Sequence, residues 1–130
     1  MAQIVRAADR PLLTSTRDGR DRIDLITDEL FDTLEIRADL IRYHPWDTAD
    51  AHYHEDATHY FIVQEGAALL HTGDDEAEVA AGDVVMVPPG EIHWFENNRD
   101  GDFSFVELWV PAPSRTVWVS NDQCTWALRA

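Results

Sequence analysis

Lysine is absent from this chain, and its ten basic residues, all arginine, face 25 aspartates and glutamates across 130 positions, giving a formal charge of −15. An excess of that sign repels phosphate backbones and anionic lipid surfaces, so nucleic acid and membranes are poor partners. The plain account of the acidity is a solvated face that keeps the protein soluble. Cysteine occurs once, at Cys124, which excludes an intramolecular disulfide. No stretch approaches the roughly 18 uninterrupted apolar residues of a membrane span. The opening MAQIVRAADRPLL also lacks a basic start followed by an apolar run, so a cytoplasmic protein is expected. Repeats, low-complexity tracts and linkers are missing too, and residues 1–130 read as a single domain.

What is present is aromatic and β-branched. Five Trp, five Phe and three Tyr supply bulk for a core or for the walls of an apolar pocket. The segments DTLEIRADLIRYHP, HYFIVQEG, AALLHTGD, DVVMVPPG, IHWFENN, FSFVELWVP and TVWVSND are rich in such residues and bounded by Gly, Asp, Asn or Pro. That pattern predicts seven or more strands in an all-β sandwich or barrel. Only RIDLITDELF, residues 22–31, admits a helical turn, and a strand followed by a turn fits it equally well. The apolar ends DTLEIRADLIRY and TVWVSNDQCTWAL are expected to pair across a two-fold axis, covering exposed edges in a homodimer.

Half of the six histidines crowd into AHYHEDATHY, at His52, His54 and His59. On a strand, His52 and His54 share a face, and a turn through residues 55–58 brings His59 back toward them. In the following strand His59 shares its face with Phe61 and Val63, while Tyr60, Ile62 and Gln64 point away. Imidazoles held together repel as cations and gain little from one another as hydrogen-bond partners, so their natural common partner is a metal ion. The competing reading is three solvated histidines in an acidic turn.

Residues 82–97 read GDVVMVPPGEIHWFEN, in which Gly82, Pro88, Gly90, His93 and Asn97 form G-x5-P-x-G-x2-H-x3-N. Together with H-x-H-x4-H-x6-G, from His52 to Gly66, this resembles the two-motif signature of the cupin superfamily (residues 52–66 and 82–97). The resemblance implies a single-domain jelly-roll β-barrel with a metal held inside by His52, His54, His59 and His93. Two positions depart from the pattern. Trp46 stands where the first motif opens with Gly, so the turn there is expected to be built differently. His59 replaces the usual ligand Glu, which leaves a divalent ion with four neutral ligands and its full charge. Glu55 follows His54 directly and is expected to face away from the cluster.

Four nitrogen donors suit Zn2+, Cu2+, Ni2+ or Co2+ better than Mg2+ or Ca2+, and one Zn2+ per chain is the leading expectation. A tetrahedral zinc closed by all four histidines would be structural only, so catalysis requires a further open position. Tyr60, Phe61, Trp94, Phe95, Phe103, Phe105, Trp109, Trp118 and Trp126 are candidates for an aromatic lining. FSFVELWVP aligns Phe103, Phe105, Glu107 and Trp109 on one face; if that face is inward, Glu107 is a carboxyl among rings with a raised pKa, a candidate acid/base. The alternative places this face outside, with Glu107 at the rim of an interface. His44 and His71 are read as surface or packing residues.

An acidic stand-alone cupin with His in place of the motif Glu, followed by FVELWVPAPSRTVW, resembles the cupin-type cyclases of bacterial aromatic polyketide biosynthesis. That resemblance implies intramolecular aldol condensation and dehydration of a poly-β-keto substrate. His52, His54, His59 and His93 would bind the metal, and a pocket carboxylate such as Glu107, metal-bound water or an imidazole would move protons. The alternatives are a dioxygenase acting on a diketone or polyphenol at Fe2+, Ni2+ or Cu2+, and a non-catalytic cupin that binds a small molecule.

Overall fold

A computed structural model of the chain describes residues 1–119 and 124–129, and within them the alternating segments become twelve strands. In chain order these are β1 (Leu12–Ser15), β2 (Asp21–Ile26), β3 (Arg37–Tyr43), β4 (His52–Tyr53), β5 (Thr58–Glu65), β6 (Ala67–Thr72), β7 (Asp75–Ala80), β8 (Val84–Val87), β9 (His93–Glu96), β10 (Phe103–Val110), β11 (Val117–Trp118) and β12 (Trp126–Leu128). They form two antiparallel sheets, one in the order β12-β1-β2-β3-β10-β5-β8 and one in the order β11-β4-β9-β6-β7. This is the all-β jelly roll that the sequence predicts. No helix among the described residues is long and apolar enough to cross a membrane.

Residues 22–31 contain both of the forms that the sequence allows. β2 ends at Ile26, and Thr27 then caps a short helix, α1 (Asp28–Phe31), by accepting from the Leu30 N–H at 3.2 Å. Its side-chain oxygen satisfies one of the amides that a helix start leaves unpaired. Other boundaries moved. DTLEIRADLIRYHP is strand only over β3, and TVWVSND is strand only at Val117–Trp118, its last residues lying outside those described. β1, β7 and β12 were not expected. β7 buries Val79 alone, as suits the edge of a sheet, where one face offers no alternation to read.

The segment DTLEIRADLIRY does not supply a free edge. β3 lies between β2 and β10 inside the larger sheet, held there because its alternate residues Arg37, Asp39, Ile41 and Tyr43 all face the interior against β10. The edges of that sheet are β8 and β12. For TVWVSNDQCTWAL, β11 and β12 are edge strands, and residues 120–123 lie outside those described.

The core sits between the sheets, where Phe61 and Phe105 from one meet Phe95 from the other. Phe61 contacts Phe95 and Phe105 at centroid separations of 4.8 and 5.0 Å, both edge to face, an arrangement favoured by the ring quadrupole. Tyr43 closes the cluster on Phe103 at 5.6 Å. Gly66 links β5 to β6 with φ 76°, and a Cβ there would collide with the Asp102 carbonyl, so only glycine fits. Trp46 holds φ 69°, the left-handed backbone a glycine would take freely. The turn is therefore kept in a conformation that disfavours a tryptophan, secured by the His44 N–H donating to Asp47 Oδ2 at 2.9 Å.

Phe61→Ala is expected to lower unfolding free energy by about 3–5 kcal/mol, because the ring is fully enclosed and the cavity cannot collapse between two rigid sheets. Urea denaturation of the metal-free protein measures it.

Candidate metal centre

Backbone pairing brings the two histidine motifs together. His52 in β4 lies directly opposite His93 in β9, and their ring centroids are 4.5 Å apart. His54 follows β4, and its carbonyl accepts the Gly90 N–H at 2.8 Å. Gly90 has φ 82°, so the turn of the second motif is stitched to the first by an amide that a left-handed residue presents. His59 arrives on β5, two residues from the core ring Phe61, with its ring stacked on Trp109 at 4.3 Å.

Three of the rings are oriented by the backbone. Nδ1 of His52 donates to the Asp50 carbonyl at 2.8 Å, Nδ1 of His93 to the Glu91 carbonyl at 2.9 Å, and Nδ1 of His54 to the Arg115 carbonyl at 3.4 Å. A neutral imidazole that donates from Nδ1 carries its lone pair on Nε2. One nitrogen from each of His52, His54 and His93 lies within 4.8 Å of the others. Nε2 of His54 and of His93 is buried without a hydrogen-bond partner, an unfavourable arrangement for a polar atom unless something binds there. A divalent cation fits these three nitrogens.

His59 is placed beside this group. Its centroid lies 5.2 Å from those of both His54 and His93, but its nitrogens stand outside the 4.8 Å cluster. Its Nε2 is engaged elsewhere, donating to Glu107 Oε1 at 3.1 Å. That bond leaves Nδ1 as the free lone pair, and Nδ1 is buried without a partner. His59 would therefore join a metal through Nδ1, where the other three would use Nε2. Glu55 is exposed and pairs with Arg115 at 3.2 Å, away from the cluster as expected.

Glu107 faces inward and is 7% exposed. Burial pushes its carboxyl up to about 7, against the opposing effect of a hydrogen bond from Asp39 and the charges of Arg22, Arg37 and Arg20. Asp39, directly across the β3–β10 pairing, is also pushed well above the usual carboxylate range, first by burial and then by Glu107. Two buried carboxyls in contact share a proton rather than both ionising. All four histidines are shifted the other way, chiefly by burial, with His54 and His93 at about 4 and His52 and His59 well below 6.5.

The cluster lies in a cavity of about 390 Å³. Of the expected aromatic lining, Phe61, Phe95, Phe105, Trp109, Trp118 and Trp126 are there. Tyr60 points outward, Phe103 is sealed in the core, and Trp94 stacks face to face on His71 at 4.6 Å. His44 bonds Asp21 at 2.9 Å and His71 bonds Glu96 at 2.9 Å, so neither joins the centre. Sequence reasoning missed Arg20, Arg22, Arg37, Asp39 and Tyr43, all of which line the cavity. For Arg37, Asp39 and Tyr43 the signal lay in the β3 alternation, which puts them on the same face as Ile41; Arg20 and Arg22 belong to β2 and its approach, where the sequence shows no such pattern.

A cupin domain family model matches residues 39–111, a span that contains all four histidines and Glu107. Among curated proteins, the chain is 36% identical over 73 residues to a gentisate 1,2-dioxygenase of a Haloferax species and 37% identical over 64 residues to an acireductone dioxygenase of Stenotrophomonas maltophilia. These alignments cover 56% and 47% of this chain but only 18% and 35% of those proteins. Among solved structures, the polyketide cyclase RemF from Streptomyces resistomycificus superposes with TM-score 0.76 at 21% identity, over 94% of this chain and 89% of that one. A Thermotoga maritima protein described as a predicted oxalate decarboxylase superposes with TM-score 0.71 at 19% identity, over 84% and 99%. At these identities the solved structures share the fold.

The depressed histidines set a pH dependence for the metal-free protein. Between about 4 and 6.5 the unfolded chain takes up protons that the four clustered histidines exclude, so their contribution is complete above 6.5 and is lost as the pH drops toward 4. The raised carboxyls of Glu107 and Asp39, which hold protons in the folded chain over the same range, oppose this in part. One group shifted from 6.5 to about 4 contributes on the order of 3 kcal/mol. Thermal melts across this range with chelator present are expected to show Tm falling on acidification.

Proposed function

The chain belongs to the cupin family, and from that premise we propose that it is a metal-dependent cyclase, closing a ring in a poly-β-keto substrate by intramolecular aldol condensation and dehydration. The observation that carries this reading is the trio of nitrogens from His52, His54 and His93, gathered on the wall of a cavity large enough for a folded chain. Three nitrogens, or four with His59, leave Zn2+ or a similar ion coordination sites to spare once its shell expands beyond four. When bound, such an ion supplies Lewis-acid polarisation of a carbonyl oxygen.

The residues around it perform the rest. Glu107, in its ionised form, removes a proton from the carbon between two carbonyl groups, and a raised carboxyl pKa makes it a stronger base for that step. The electron pair released forms the new carbon–carbon bond at a second carbonyl of the same chain. The resulting alkoxide regains a proton, and loss of water follows. No oxidant or reductant enters the balance. Asp39 and His59 hold Glu107 from two sides, while Phe61, Trp109 and Trp118 wall the cavity with rings that exclude water and favour a folded reactive conformer. Similarity to RemF along nearly the whole chain supports this assignment.

A second reading, a dioxygenase acting on a diketone or polyphenol, draws support from the names of the curated relatives. Replacement of the usual carboxylate ligand by His59 weighs against it, since many Fe(II) oxygenases rely on a carboxylate beside two histidines. Elemental analysis with oxygen-uptake measurement separates the two. Oxygen-dependent turnover with bound iron, nickel or copper would establish the oxygenase.

For the cyclase, His93→Ala is expected to lose bound zinc and cyclised product together; activity that persists without metal refutes the reading. Glu107→Gln is expected to keep its metal but lower kcat by about a hundredfold or more, measured by steady-state kinetics beside zinc content.

A further inference from the structure

Ten arginines serve the entire chain, and three of them, Arg20, Arg22 and Arg37, line the same cavity as the histidines. Strand pairing fixes where they stand. Across β5, β10 and β3, one row of the inner wall reads His59, Trp109, Arg37, and the next reads Phe61, Glu107, Asp39, continuing to Asp24 on β2. A third row reads Val63, Phe105, Ile41 and ends at Arg22 on β2. At about 4.8 Å per strand and about 3.4 Å per residue, Arg37 begins roughly 10 Å from the His59 backbone, and Arg22, three strands over and four residues along, roughly 20 Å. The wall thus runs from imidazoles at one side to guanidiniums at the other.

Arg20 is committed to structure, bonding Asp18, Tyr43 and Cys124. Arg22 and Arg37 are held more loosely, by rings and ion pairs: Arg22 lies over Trp126 at 5.2 Å and Arg37 over Trp109 at 5.8 Å, and Arg37 Nε stands 4.0 Å from Asp39 Oδ2. Their guanidiniums converge on Asp24 Oδ1, Arg22 Nε at 2.9 Å and Arg37 Nη2 at 3.9 Å. Yet Arg22 Nε and Asp24 Oδ1 are both buried without a hydrogen bond, the close contact being too bent to be one. Asp39 Oδ1 and Trp109 Nε1 are likewise buried and unpaired. Donors and acceptors with incomplete hydrogen bonding therefore collect on this side of the wall, where pairing is costly to leave unmade. Asp39 and Glu107 line the cavity with the three guanidiniums, and Asp18 and Asp24 pair with Arg20 and Arg22 from behind the lining, so this stretch has no net pull on an anion. A neutral oxygen that both accepts and, as its enol, donates matches the open groups.

We propose that Arg22 and Arg37 form a second subsite that receives a remote keto or enol oxygen of the substrate, while the histidine end holds the reacting dicarbonyl unit. This rests on the cyclase reading and extends it: the distance between the two ends selects chain length and fixes which carbonyls meet. Both arginines also line a cleft beside α1, with Pro11, Leu13 and Leu128, and so stand between it and the cavity.

Matched probes test this by titration calorimetry on the zinc-loaded protein. One is a linear β-diketone with a plain alkyl tail; the other carries one further ketone near the far end of that tail. The second should bind roughly tenfold or more tightly, the scale of one hydrogen bond to a charged donor. Arg22→Met and Arg37→Met should each erode that advantage while leaving the plain diketone unchanged, which also certifies that the variants are folded. Equal affinity of the two probes for the wild type, or an advantage that survives both substitutions, overturns the subsite. Should either variant fail to fold, the wild-type comparison alone decides. Failure of the cyclase reading shows differently, as plain-diketone affinity that is the same with and without zinc.

Discussion

Three hydrogen bonds from ring Nδ1 atoms to the carbonyls of Asp50, Glu91 and Arg115 set the chemical character of this molecule's centre. Each fixes a tautomer, and together they turn lone pairs toward one place. Without them, a ring would be free to turn its N–H into the cluster, and the lone pairs would no longer converge on one point. The carbonyls come from loops flanking β4 and β9 and from the stretch before β11, so the site depends on the smaller sheet holding its strands in register. Burial adds to this by keeping the rings neutral, the state in which they can act as ligands.

The larger sheet makes a different contribution. Its inner face is apolar where Phe61, Phe105 and Val63 meet Phe95, and charged where β2 and β3 carry Arg22, Asp24, Arg37 and Asp39. A jelly-roll interior needs only the first kind of surface for stability. Buried ion pairs contribute little net stability once their desolvation is counted, so the charged half is better understood through what the cavity receives. Glu107 and Trp109 on β10 mark the boundary between the two kinds of wall, and Glu107 belongs to both through His59 and Asp39.

Much of this was legible in the sequence because strands advertise one face at a time. The alternation in HYFIVQEG put His59, Phe61 and Val63 on one face, and FSFVELWVP put Glu107 on a face with Phe103, Phe105 and Trp109, though which side of the sheet that face takes was not readable from the pattern. The motif spacing located His93 at the start of a strand. What stayed hidden required knowing which strands are neighbours. Asp39 and Arg37 look like ordinary surface residues in DTLEIRADLIRY until pairing sets them opposite Glu107 and Trp109. The bond between His59 and Glu107 joins residues far apart in the chain, and it alone distinguishes His59 from its three companions. Edge strands such as β7 escaped notice for the opposite reason: nearly every side chain in them is solvated, so no pattern betrays them.

The amide of Gly90 bound to the carbonyl of His54 ties the loop before β9 to the end of β4, immediately beside ligands from both. A cation seated among those rings would clamp the same two loops from the inside. Without the ion, the amide of Gly90 is the tie that keeps the two loops, and so the rings they carry, at one spacing, which leaves the seat for a cation already shaped before one arrives.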